Sequence, residues 1–472
     1  MRGLNRRGVA GAVAVVLAPV MAAAGGAVAV AGTTVSKAPL PANAGSNPAV
    51  NLFSVSCTSA GNCTAAGTYG DNSDHRQGLL LTETSGTWAA AEAPLPVGAA
   101  TKPAVDILSV SCASAGNCAV VGSYRDNSGH FQGLLLTETS GTWRATKAPL
   151  PAGAASTPAT FLASVSCAPA GHCTAVGEYH DSSRNTQGLL LTDTWGSWRA
   201  AEAPLPAAAP NPDASLTSVS CAAAGHCTAV GAYDDSSFHY QGLLLTETSG
   251  TWRAAKALAP AGAVSNPDTS LRSVSCASAG NCAAVGTYDS ATGTEGLLLS
   301  QTSGTWATGA KAVLPPNAGH SPGVGLSSVS CASPGNCTAI GTYFDTSFNS
   351  LGLLLSETSG TWAAGIQAPL PAGAASSQGV PGVFLGSVSC ALAAHCTGVG
   401  SYTDDSGNLQ GVLLSQTAAT WAAAKTPLPT GAASNPLILL NSVVCSSVGH
   451  CTAVGTYADG SGHRQGVLLT GT

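Results

Sequence analysis

The sequence predicts an all-β fold made of eight repeated antiparallel units, and three observations support this prediction. Sixteen cysteines form eight pairs, each with five residues between its two members. The first cysteines of successive pairs are 54 to 59 residues apart, so one unit of about 55 residues occurs eight times. Only 8% of the 472 residues are charged, while 57 are Gly and 27 are Pro, a composition that disfavours long helical bundles.

One repeat, residues 108–151 (LSVSCASAGNCAVVGSYRDNSGHFQGLLLTETSGTWRATKAPLP), illustrates how each unit is built. None of its segments follows the periodicity of helices. The first strand is predicted at residues 108–112, where apolar and small polar residues alternate, and a Gly-Asn turn follows it. The second strand is predicted at residues 118–124, and it ends in a loop at residues 125–132.

The third strand is predicted at residues 133–139, which contain three consecutive leucines. Such a continuous apolar run is typical of a strand that is buried on both faces. A Ser-Gly turn leads to the fourth strand, predicted at residues 142–147, which opens with Trp143. Prolines from Pro149 onward end this strand, because proline cannot donate to a strand ladder, and a stretch rich in Ala, Gly, Ser and Pro leads to the next unit.

Eight four-stranded antiparallel units in series predict a β-propeller, in which radial repetition leaves only short, protected sheet edges. The last repeat stops after its third strand, and residues 33–41 align on a fourth strand with its proline exit. We therefore predict an eight-bladed ring that is closed by an N-terminal strand completing the last blade. An open β-solenoid is the alternative, although a linear array more naturally begins and ends on whole units. One connection between units is longer than the others, and its additional residues are 378–382.

The N-terminal segment predicts export. Arg2, Arg6 and Arg7 precede an apolar stretch that ends in small residues, the pattern of a secretory signal peptide. We therefore predict a signal peptide at residues 1–31 and a single propeller at residues 32–472. An uncleaved membrane anchor is the alternative, because about 20 apolar residues can span a bilayer. No other apolar run approaches that length, so no membrane span is expected after cleavage.

The cysteine spacing predicts eight local disulfides, each closing one hairpin. A metal site is the alternative, but each pair supplies only two ligands where a structural zinc site uses four. The predicted pairs are Cys57/Cys63, Cys112/Cys118, Cys167/Cys173, Cys221/Cys227, Cys276/Cys282, Cys331/Cys337, Cys390/Cys396 and Cys445/Cys451.

The charge balance disfavours nucleic acid as a partner. The formal net charge of −6 becomes about −9 once the three arginines of the signal peptide are removed. No basic patch is available to neutralise phosphates. We expect an extracellular carbohydrate or protein as the partner, a monomeric state, and a location outside the cell or in its envelope.

The turn TETSGTW between the third and fourth strands, for example at residues 137–143, resembles a degenerate Asp-box of sialidase-like propeller blades. Thr stands in place of the Asp, and the turn is one residue shorter. The combination SVSC…GNCTAVG…GLLLTETSGTW resembles the repeats of exported actinobacterial propeller-like proteins, over residues 33–472. The resemblance implies the strand order, the propeller fold and export, and it brings no catalytic residues with it.

Candidate binding residues lie in the loops between the second and third strands. If the first strand of each blade lines the central channel, these loops share one face with the connections between blades. The channel strands offer residues such as Ser109 and Ser111 and almost no ionisable groups, whereas the loops vary in acids, histidines and aromatic residues. The predicted ligand-binding residues are Asp71, His75, Arg76, Arg125, Asp126, His130, Phe131, His180, Arg184, Asp235, His239, Tyr240, Asp345, Phe348, Asp405, His463 and Arg464.

A purely structural interpretation of these loops is also open, because any solvated hairpin loop needs Asp, Ser, Asn and Gly. With one or two acids per loop, the oxygens fall short of the six to eight that calcium requires. We therefore expect no cofactor, with calcium as the alternative. The seven repeated tryptophans, such as Trp143, are predicted to pack between blades, and Trp195 stands outside this pattern as an exposed residue.

These features predict a secreted, disulfide-stapled propeller that acts as a non-enzymatic binding or adhesion module for carbohydrate or another extracellular polymer. No catalytic residue is predicted, because the channel lacks the titratable groups that acid–base and nucleophilic catalysis need. The alternatives are a hydrolase or lyase of extracellular glycans that uses the loop acids and histidines, and a structural envelope protein. Catalysis requires two carboxylates within about 5 to 10 Å at one cleft, whereas a lectin repeats similar shallow pockets between blades.

Overall fold

The computed structural model describes the chain at residues 32–168, 171–194, 196–206, 213–375 and 382–471. These residues form 34 β-strands in eight antiparallel sheets, which are the blades of one ring. The predicted signal peptide, Trp195 and most of the long connection at residues 378–382 lie outside the described residues. Across the described part, no helix is long and apolar enough to cross a membrane.

In blades 1 to 4, four consecutive strands pair with their neighbours in sequence. Blade 1 consists of β2 (Asn51–Ser59), β3 (Asn62–Gly70), β4 (Arg76–Thr84) and β5 (Thr87–Glu92). Blade 2 consists of β6 (Asp106–Ser114), β7 (Asn117–Arg125), β8 (Phe131–Thr139) and β9 (Thr142–Lys147). Blade 3 consists of β10 (Phe161–Ala168), β11 (His172–His180), β12 (Thr186–Thr194) and β13 (Ser197–Glu202). Blade 4 consists of β14 (Ala214–Ala223), β15 (His226–Asp234), β16 (Tyr240–Thr248) and β17 (Thr251–Lys256).

The remaining blades keep this order, but in blades 5 and 6 the fourth strand is split in two. Blade 5 consists of β18 (Thr269–Ser278), β19 (Asn281–Ser290), β20 (Gly293–Thr302), β21 (Thr305–Trp306) and β22 (Ala310–Lys311). Blade 6 consists of β23 (Gly325–Ser333), β24 (Asn336–Phe344), β25 (Ser350–Thr358), β26 (Thr361–Trp362) and β27 (Ile366–Gln367). Blade 7 consists of β28 (Phe384–Leu392), β29 (His395–Thr403), β30 (Leu409–Thr417) and β31 (Thr420–Lys425). Blade 8 consists of β32 (Leu439–Ser447), β33 (His450–Ala458), β34 (Arg464–Thr470) and β1 (Thr34–Lys37).

The strands predicted for the repeat of blade 2 are confirmed. The fourth strand has the predicted bounds, and the first three extend one or two residues further at their ends. The first strand, for example, begins at Asp106 and ends at Ser114, because both residues still have strand partners in β7.

The N-terminal strand closes the ring, as predicted. β1 pairs antiparallel with β34, so that Thr34 lies opposite Thr470 and Lys37 lies opposite Val467. The hydroxyl oxygens of Thr34 and Thr470 are 2.6 Å apart. The first strand of blade 8, β32, also lies against the first strand of blade 1, β2. The alternative of an open solenoid is therefore wrong.

The core lies between the blades, where the apolar faces of adjacent sheets meet. In one such cluster, Leu135 of blade 2 packs with Leu162 and Leu189 of blade 3, and all three are fully buried. Trp198 borders this cluster, and its Nε1 donates a hydrogen bond to Thr137 Oγ1 of blade 2 at 3.1 Å. The repeated tryptophans therefore pack between blades, as predicted.

A glycine in each second strand accommodates an irregular first strand. In blade 2 the pairing of β6 with β7 shifts between Ile107 and Ser109, which leaves Leu108 without a partner residue. A Cβ atom on Gly122 would collide with the backbone carbonyl of Asp106. Only glycine therefore fits at this point of the second strand.

The two faces of the ring differ in structure. On the loop face, the connection between blades runs beside the loop between the second and third strands, as the bond from the Ala100 amide to the Arg125 carbonyl (3.0 Å) shows. On the turn face, the tight turns of each blade meet, and the Gly141 amide donates to the Gly116 carbonyl at 3.0 Å. The prediction that loops and connections share one face is therefore confirmed.

All sixteen cysteines are paired in the eight disulfides that the spacing predicts, so the metal alternative for these residues is wrong. Each disulfide joins the first two strands next to their turn on the turn face; Cys112, for example, lies opposite Cys118 in strand register. The disulfides also contact neighbouring blades, because Thr64 Oγ1 of blade 1 lies 3.5 Å from Cys118 Sγ.

The second cysteine of each pair is buried in the core between blades, which the spacing alone did not indicate. These residues are between 3% and 6% exposed, and they are Cys63, Cys118, Cys173, Cys227, Cys282, Cys337, Cys396 and Cys451. Cys173, for example, packs in the cluster that contains Leu162. Other second cysteines also contact a threonine of the preceding blade. The threonine hydroxyl lies 3.4 Å from the sulfur of Cys227 and of Cys282, and 3.3 Å from the sulfur of Cys451. These cysteines therefore form part of the core and, unlike the predicted loop residues, expose little surface to a ligand.

Candidate functional site

An aspartate organises the loop between the second and third strands. In blade 2, Asp126 Oδ1 accepts hydrogen bonds from the backbone amides of Ser128 (2.9 Å) and His130 (3.0 Å), and its Oδ2 accepts one from Gln132 Nε2 (2.7 Å). The sequence pattern is Asp-x-Ser-x-His-x-Gln, in which a short carboxylate satisfies amides that the strands leave unpaired. Asp126 therefore has a structural role in its own loop.

The same bonds from Oδ1 to two amides recur in seven blades of the described chain. The organising residues are Asp71, Asp126, Asp181, Asp235, Asp345, Asp404 and Asp459. In blade 7 the organising residue is Asp404, next to the predicted Asp405, whose amide donates to the Gly373 carbonyl at 2.9 Å. Blade 5 departs from the pattern, because its loop is one residue shorter.

Hydrogen bonding keeps these carboxylates ionised. Burial opposes ionisation of Asp126, but the hydrogen bonds from the His130 amide, Gln132 and the Ser128 amide outweigh it and hold the pKa below its usual range. For Asp235 the amide of Ser237 is the largest contribution, and the pKa is again lowered. A carboxylate in this state accepts hydrogen bonds but does not donate a proton at neutral pH.

The residue three positions after each organising aspartate has a left-handed backbone conformation. The seven residues at this loop tip are Asp74, Gly129, Arg184, Phe238, Phe348, Gly407 and Gly462. Glycine is the expected residue there, because it has no Cβ. Phe238 (φ 61°) and Phe348 (φ 62°) are bulky exceptions, and they are 79% and 75% exposed. Neither packing nor backbone preference explains these two side chains.

The loop face contains a cleft of about 580 Å³ between blades 2 and 3. It brings together four of the predicted binding residues, two from each blade. The lining residues are Gly129, His130, Phe131, Thr157, Ala159, His180 and Arg184.

An aromatic and cationic stack lies beside this cleft. The ring centres of Phe131 and Phe161 are 5.2 Å apart with an angle of 42° between the planes. The guanidinium carbon of Arg125 lies 4.6 Å from the centre of the Phe131 ring, within the range of a cation–π interaction. Aromatic faces, arginines and imidazoles so arranged can stack on a sugar ring and hydrogen-bond to its hydroxyl groups.

The other predicted arginines join adjacent blades. Arg76, which holds in blade 1 the position of Phe131, forms an ion pair with Asp106 of blade 2 at 2.7 Å. Arg464, at the same position in blade 8, donates to Asn51 Oδ1 of blade 1 at 3.1 Å. Both side chains are exposed, so these contacts contribute little to stability.

The remaining predicted residues are distributed around the loop face. His239 Nδ1 lies 3.3 Å from Asp268 Oδ1 of the next connection, and the Tyr240 amide donates to the same oxygen at 3.0 Å. His75 Nδ1 lies 3.6 Å from the organising Asp71 of its own loop, and the His463 amide donates to Asp459. Within the described residues, the predicted set converges at the cleft between blades 2 and 3 and otherwise occupies separate blade junctions.

Among the residues that the structure describes, no group of three or more His, Cys, Asp or Glu side chains could hold a metal ion. The oxygens of the organising aspartates point to amides and glutamines of their own loops. The calcium alternative therefore has no side-chain cluster to support it in this part of the chain.

Sequence reasoning missed a second set of polar groups, on the turn face. Glu83 and Glu138, the central residues of their TET segments, are each only 4% exposed. In strand register they lie opposite Trp88 and Trp143. The available signal was repetition, since an acid or a glutamine stands between two Ser or Thr residues at this position in blades 1 to 7.

The fold and its repeated loops define the class of this protein, an eight-bladed β-propeller with candidate binding clefts between blades. No protein-family model matches the sequence, and the comparison with curated proteins gives no match. Solved structures with a similar fold include AofleA from Arthrobotrys oligospora (11% identity, 71% of this chain and 89% of that chain, TM-score 0.32). A protein of unknown function from Dyadobacter fermentans has 10% identity over 94% of this chain and 100% of that chain, with a TM-score of 0.37. The fucose-specific lectin from Aleuria aurantia has 10% identity over 68% of this chain and 97% of that chain, with a TM-score of 0.34. At these values the similarity adds nothing to the fold already described.

Proposed function

We propose that this protein is exported and acts as a non-enzymatic binding module for an extracellular polymer. Carbohydrate is the ligand class, and the loop face is the binding surface. The proposal includes cleavage of the signal peptide at residues 1–31 and a monomeric propeller over residues 32–472. Eight disulfides fit an oxidising compartment, and the resemblance to repeats of exported actinobacterial proteins supports the same location.

The conformation of Phe238 and Phe348 carries this proposal. Both are exposed phenylalanines at loop tips with φ near 60°, where three other blades have glycine. Left-handed backbone at a bulky residue costs free energy, and so does an aromatic ring in water. Two such costs at equivalent positions are understandable if the rings contact a ligand that the propeller binds on this face.

The chemistry of the loop face favours binding over catalysis. The cleft between blades 2 and 3 combines the Phe131 ring with Arg184 and two histidines. The organising aspartates are held in the ionised form by hydrogen bonds within their own loops, so they supply no proton to a leaving group. Stacking together with hydrogen bonds to hydroxyl groups is sufficient for carbohydrate recognition.

A binding assay with loop-tip variants tests the proposal. Wild-type protein is applied to insoluble polysaccharides and to a glycan array, with and without calcium, beside the double variant F238A/F348A. We expect the double variant to bind its polymer about tenfold more weakly, the effect of losing an aromatic contact. The control is Leu258→Ala, which removes an exposed apolar side chain (53% exposed) just after the last strand of blade 4. Absence of wild-type binding at high protein concentration, or equal binding by F238A/F348A, would reject the loop face as the binding surface. Binding that requires calcium would contradict a cofactor-free site.

A further inference from the structure

Three clefts of similar build open on the turn face, each between two adjacent blades. Their volumes are about 440 Å³ between blades 1 and 2, about 430 Å³ between blades 2 and 3, and about 320 Å³ between blades 6 and 7. Each cleft is bounded by the end of the third strand of one blade and by the disulfide-bearing turn of the next. Similar pockets repeated between blades are the arrangement expected of a lectin, and they lie on the face opposite the predicted binding residues.

The first two clefts each contain two buried carboxyl groups. Glu83 and Glu138, both 4% exposed, line the cleft between blades 1 and 2. Glu138 and Asp193, which is 3% exposed, line the cleft between blades 2 and 3. Within the described chain, Glu83 Oε2, Glu138 Oε2 and Asp193 Oδ1 are buried without a hydrogen-bond partner. These unpaired acceptors belong to residues that line the two clefts.

Positive charge compensates these acids only in part: burial raises the pKa of Asp193, and backbone amides and the nearby His172 oppose that rise. The residues that line the three clefts include no lysine, arginine or histidine. Burial raises the pKa of Glu83 and of Glu138, as expected for carboxyl groups that lack a nearby cation. A buried acid without a partner is costly, and a positively charged donor in the cleft would remove that cost.

The walls of the first cleft suit a sugar ring that carries such a donor. Trp143 lies at the cleft between blades 1 and 2, together with the hydroxyl groups of Thr82 and Thr84 and the amide of Asn62. Indole is the aromatic surface that best attracts a cation, and its face also packs against the apolar face of a pyranose. Equivalent clefts repeated around a ring favour a polymer with repeated units, because several weak contacts then act together.

The acids are not required by the fold itself. Blade 5 has Gln301 at the position of Glu138, and its Nε2 donates to Thr246 Oγ1 (3.1 Å) and to the Gly304 carbonyl (3.3 Å). Blade 7 has Gln416 at the same position, in the cleft with Glu357 between blades 6 and 7. The chain therefore accepts a neutral residue there, and the pairs of acids around blade 2 call for another explanation.

We propose that the turn-face clefts on both sides of blade 2 bind the protonated amino group of an amino sugar, with the Glu83, Glu138 and Asp193 carboxyl groups as its partners and Trp143 as a stacking surface. The ligand is a polysaccharide with free amino groups, bound at several clefts at once. This deepens the proposed carbohydrate binding by naming the sugar class and a second surface, and it does not depend on the loop tips.

Titration calorimetry with two tetrasaccharides that differ only in the acetyl group tests the proposal. The probes are the tetramer of glucosamine and the tetramer of N-acetylglucosamine. We expect the wild type to bind the glucosamine tetramer and not its acetylated form. Glu138→Gln changes both clefts around blade 2, and it should weaken binding about tenfold or more, the effect of losing a charge-assisted hydrogen bond. The variant should fold, because Gln301 and Gln416 occupy the same position naturally.

Three comparisons make the result specific. Asp74→Asn removes the same charge from a loop tip on the opposite face, and it should leave binding unchanged, which separates cleft binding from general attraction to an acidic protein. Gln416→Glu gives the cleft between blades 6 and 7 a second acid, and it should strengthen binding. A loss of binding in Glu138→Gln reports on the turn-face clefts and a loss in F238A/F348A reports on the loop face, so failure of the two proposals remains distinguishable. Equal binding of both tetramers, an equal loss in Asp74→Asn, or binding of polylysine as tight as that of the amino sugar would overturn the proposal.

Discussion

The hydroxyl of Ser111 in blade 2 accepts a hydrogen bond from the backbone amide of Cys167 in blade 3, with the two atoms 2.9 Å apart. Two residues earlier, Ser109 accepts a bond from the Val165 amide at 3.2 Å. The first strand of a blade has no strand partner toward the channel, so its outer amides would otherwise be unpaired. The serines of the SVSC segments therefore join each blade to the next and protect the sheet edges.

These two bonds recur around the ring, always from amides of one blade to serines of the preceding blade. At the closing junction, Ser442 of blade 8 accepts the bond from the Val55 amide of blade 1 at 3.3 Å. Val444 occupies the place of the second serine, so the Cys57 amide has no serine opposite it. The closing junction therefore has one of the two serine–amide bonds, beside a bond from Asn441 Nδ2 to the Leu52 carbonyl at 2.8 Å.

Val444→Thr should restore the missing bond to the Cys57 amide. We expect the free energy of unfolding to rise by about 1 kcal/mol, because threonine supplies one neutral hydrogen bond and keeps a branched side chain that suits a strand. Urea unfolding of the wild type and the variant measures the difference. The control is Val443→Thr, whose site is 5% exposed within the core and should lose stability through a buried hydroxyl. Equal losses in both variants would show that no free amide faces position 444.

The disulfides give a test of the compartment. We expect the exported protein to take up no alkylating reagent without reductant and to gain the mass of sixteen adducts after reduction, because every cysteine is paired. The two cysteines of each bond have a sequence separation of 6. In the chain-entropy model, closing so short a loop stabilises the fold by about 2 kcal/mol. Reduction should therefore also lower the melting temperature markedly. Adducts on protein purified from the culture medium without reductant would contradict export through an oxidising compartment.

Asp126→Asn should destabilise the loop of blade 2 at neutral pH by about 1 to 2 kcal/mol, because the side-chain nitrogen that replaces Oδ2 cannot accept the bond from Gln132. The contribution of ionised Asp126 is complete above the pKa of the unfolded chain, about 3.9, and is lost as the pH falls from there through the lower pKa of the folded state. Acid titration of the melting temperature should therefore be shallower in the variant. An equally steep acid titration in the variant would show that ionised Asp126 does not contribute to stability.

The sequence was sufficient to predict the structural features that involve residues of a single repeat. The strands and disulfides are local, so a 55-residue period and its cysteine pairs were enough to place them. The contact from Ser111 to Cys167 was not predictable, because it joins residues 56 positions apart across two blades. The left-handed backbone of Phe348 was not predicted, because a sequence gives no φ angle, although alignment with Gly407 would have marked the position as unusual. The same alignment would have selected Asp404 as the organising residue.

Glu138→Gln should stabilise the fold at neutral pH. Burial raises the pKa of Glu138, so its protonated form is favoured more in the folded state than in the unfolded state. The stability that this group contributes is complete below the unfolded pKa, about 4.3, and is lost as the pH rises through the raised folded pKa. The melting temperature of the variant should therefore exceed that of the wild type at pH 7.5, and the gain should vanish near pH 4. A gain that is the same at both pH values would mean that ionisation of Glu138 is not its cause.

Phe348→Gly should separate stability from binding at the loop tip. Glycine removes the left-handed strain at φ 62°, which offsets its own entropic cost, so the free energy of unfolding should stay the same or rise by up to about 1 kcal/mol. Polymer binding should fall at the same time, because the exposed ring is lost. The reciprocal variant, Gly407→Phe, places a ring at the equivalent tip of blade 7, and it should lose stability while it gains affinity. If Phe348→Gly instead destabilises the protein and leaves binding intact, the ring packs on its own blade, and the argument from exposure to ligand contact does not hold for this tip.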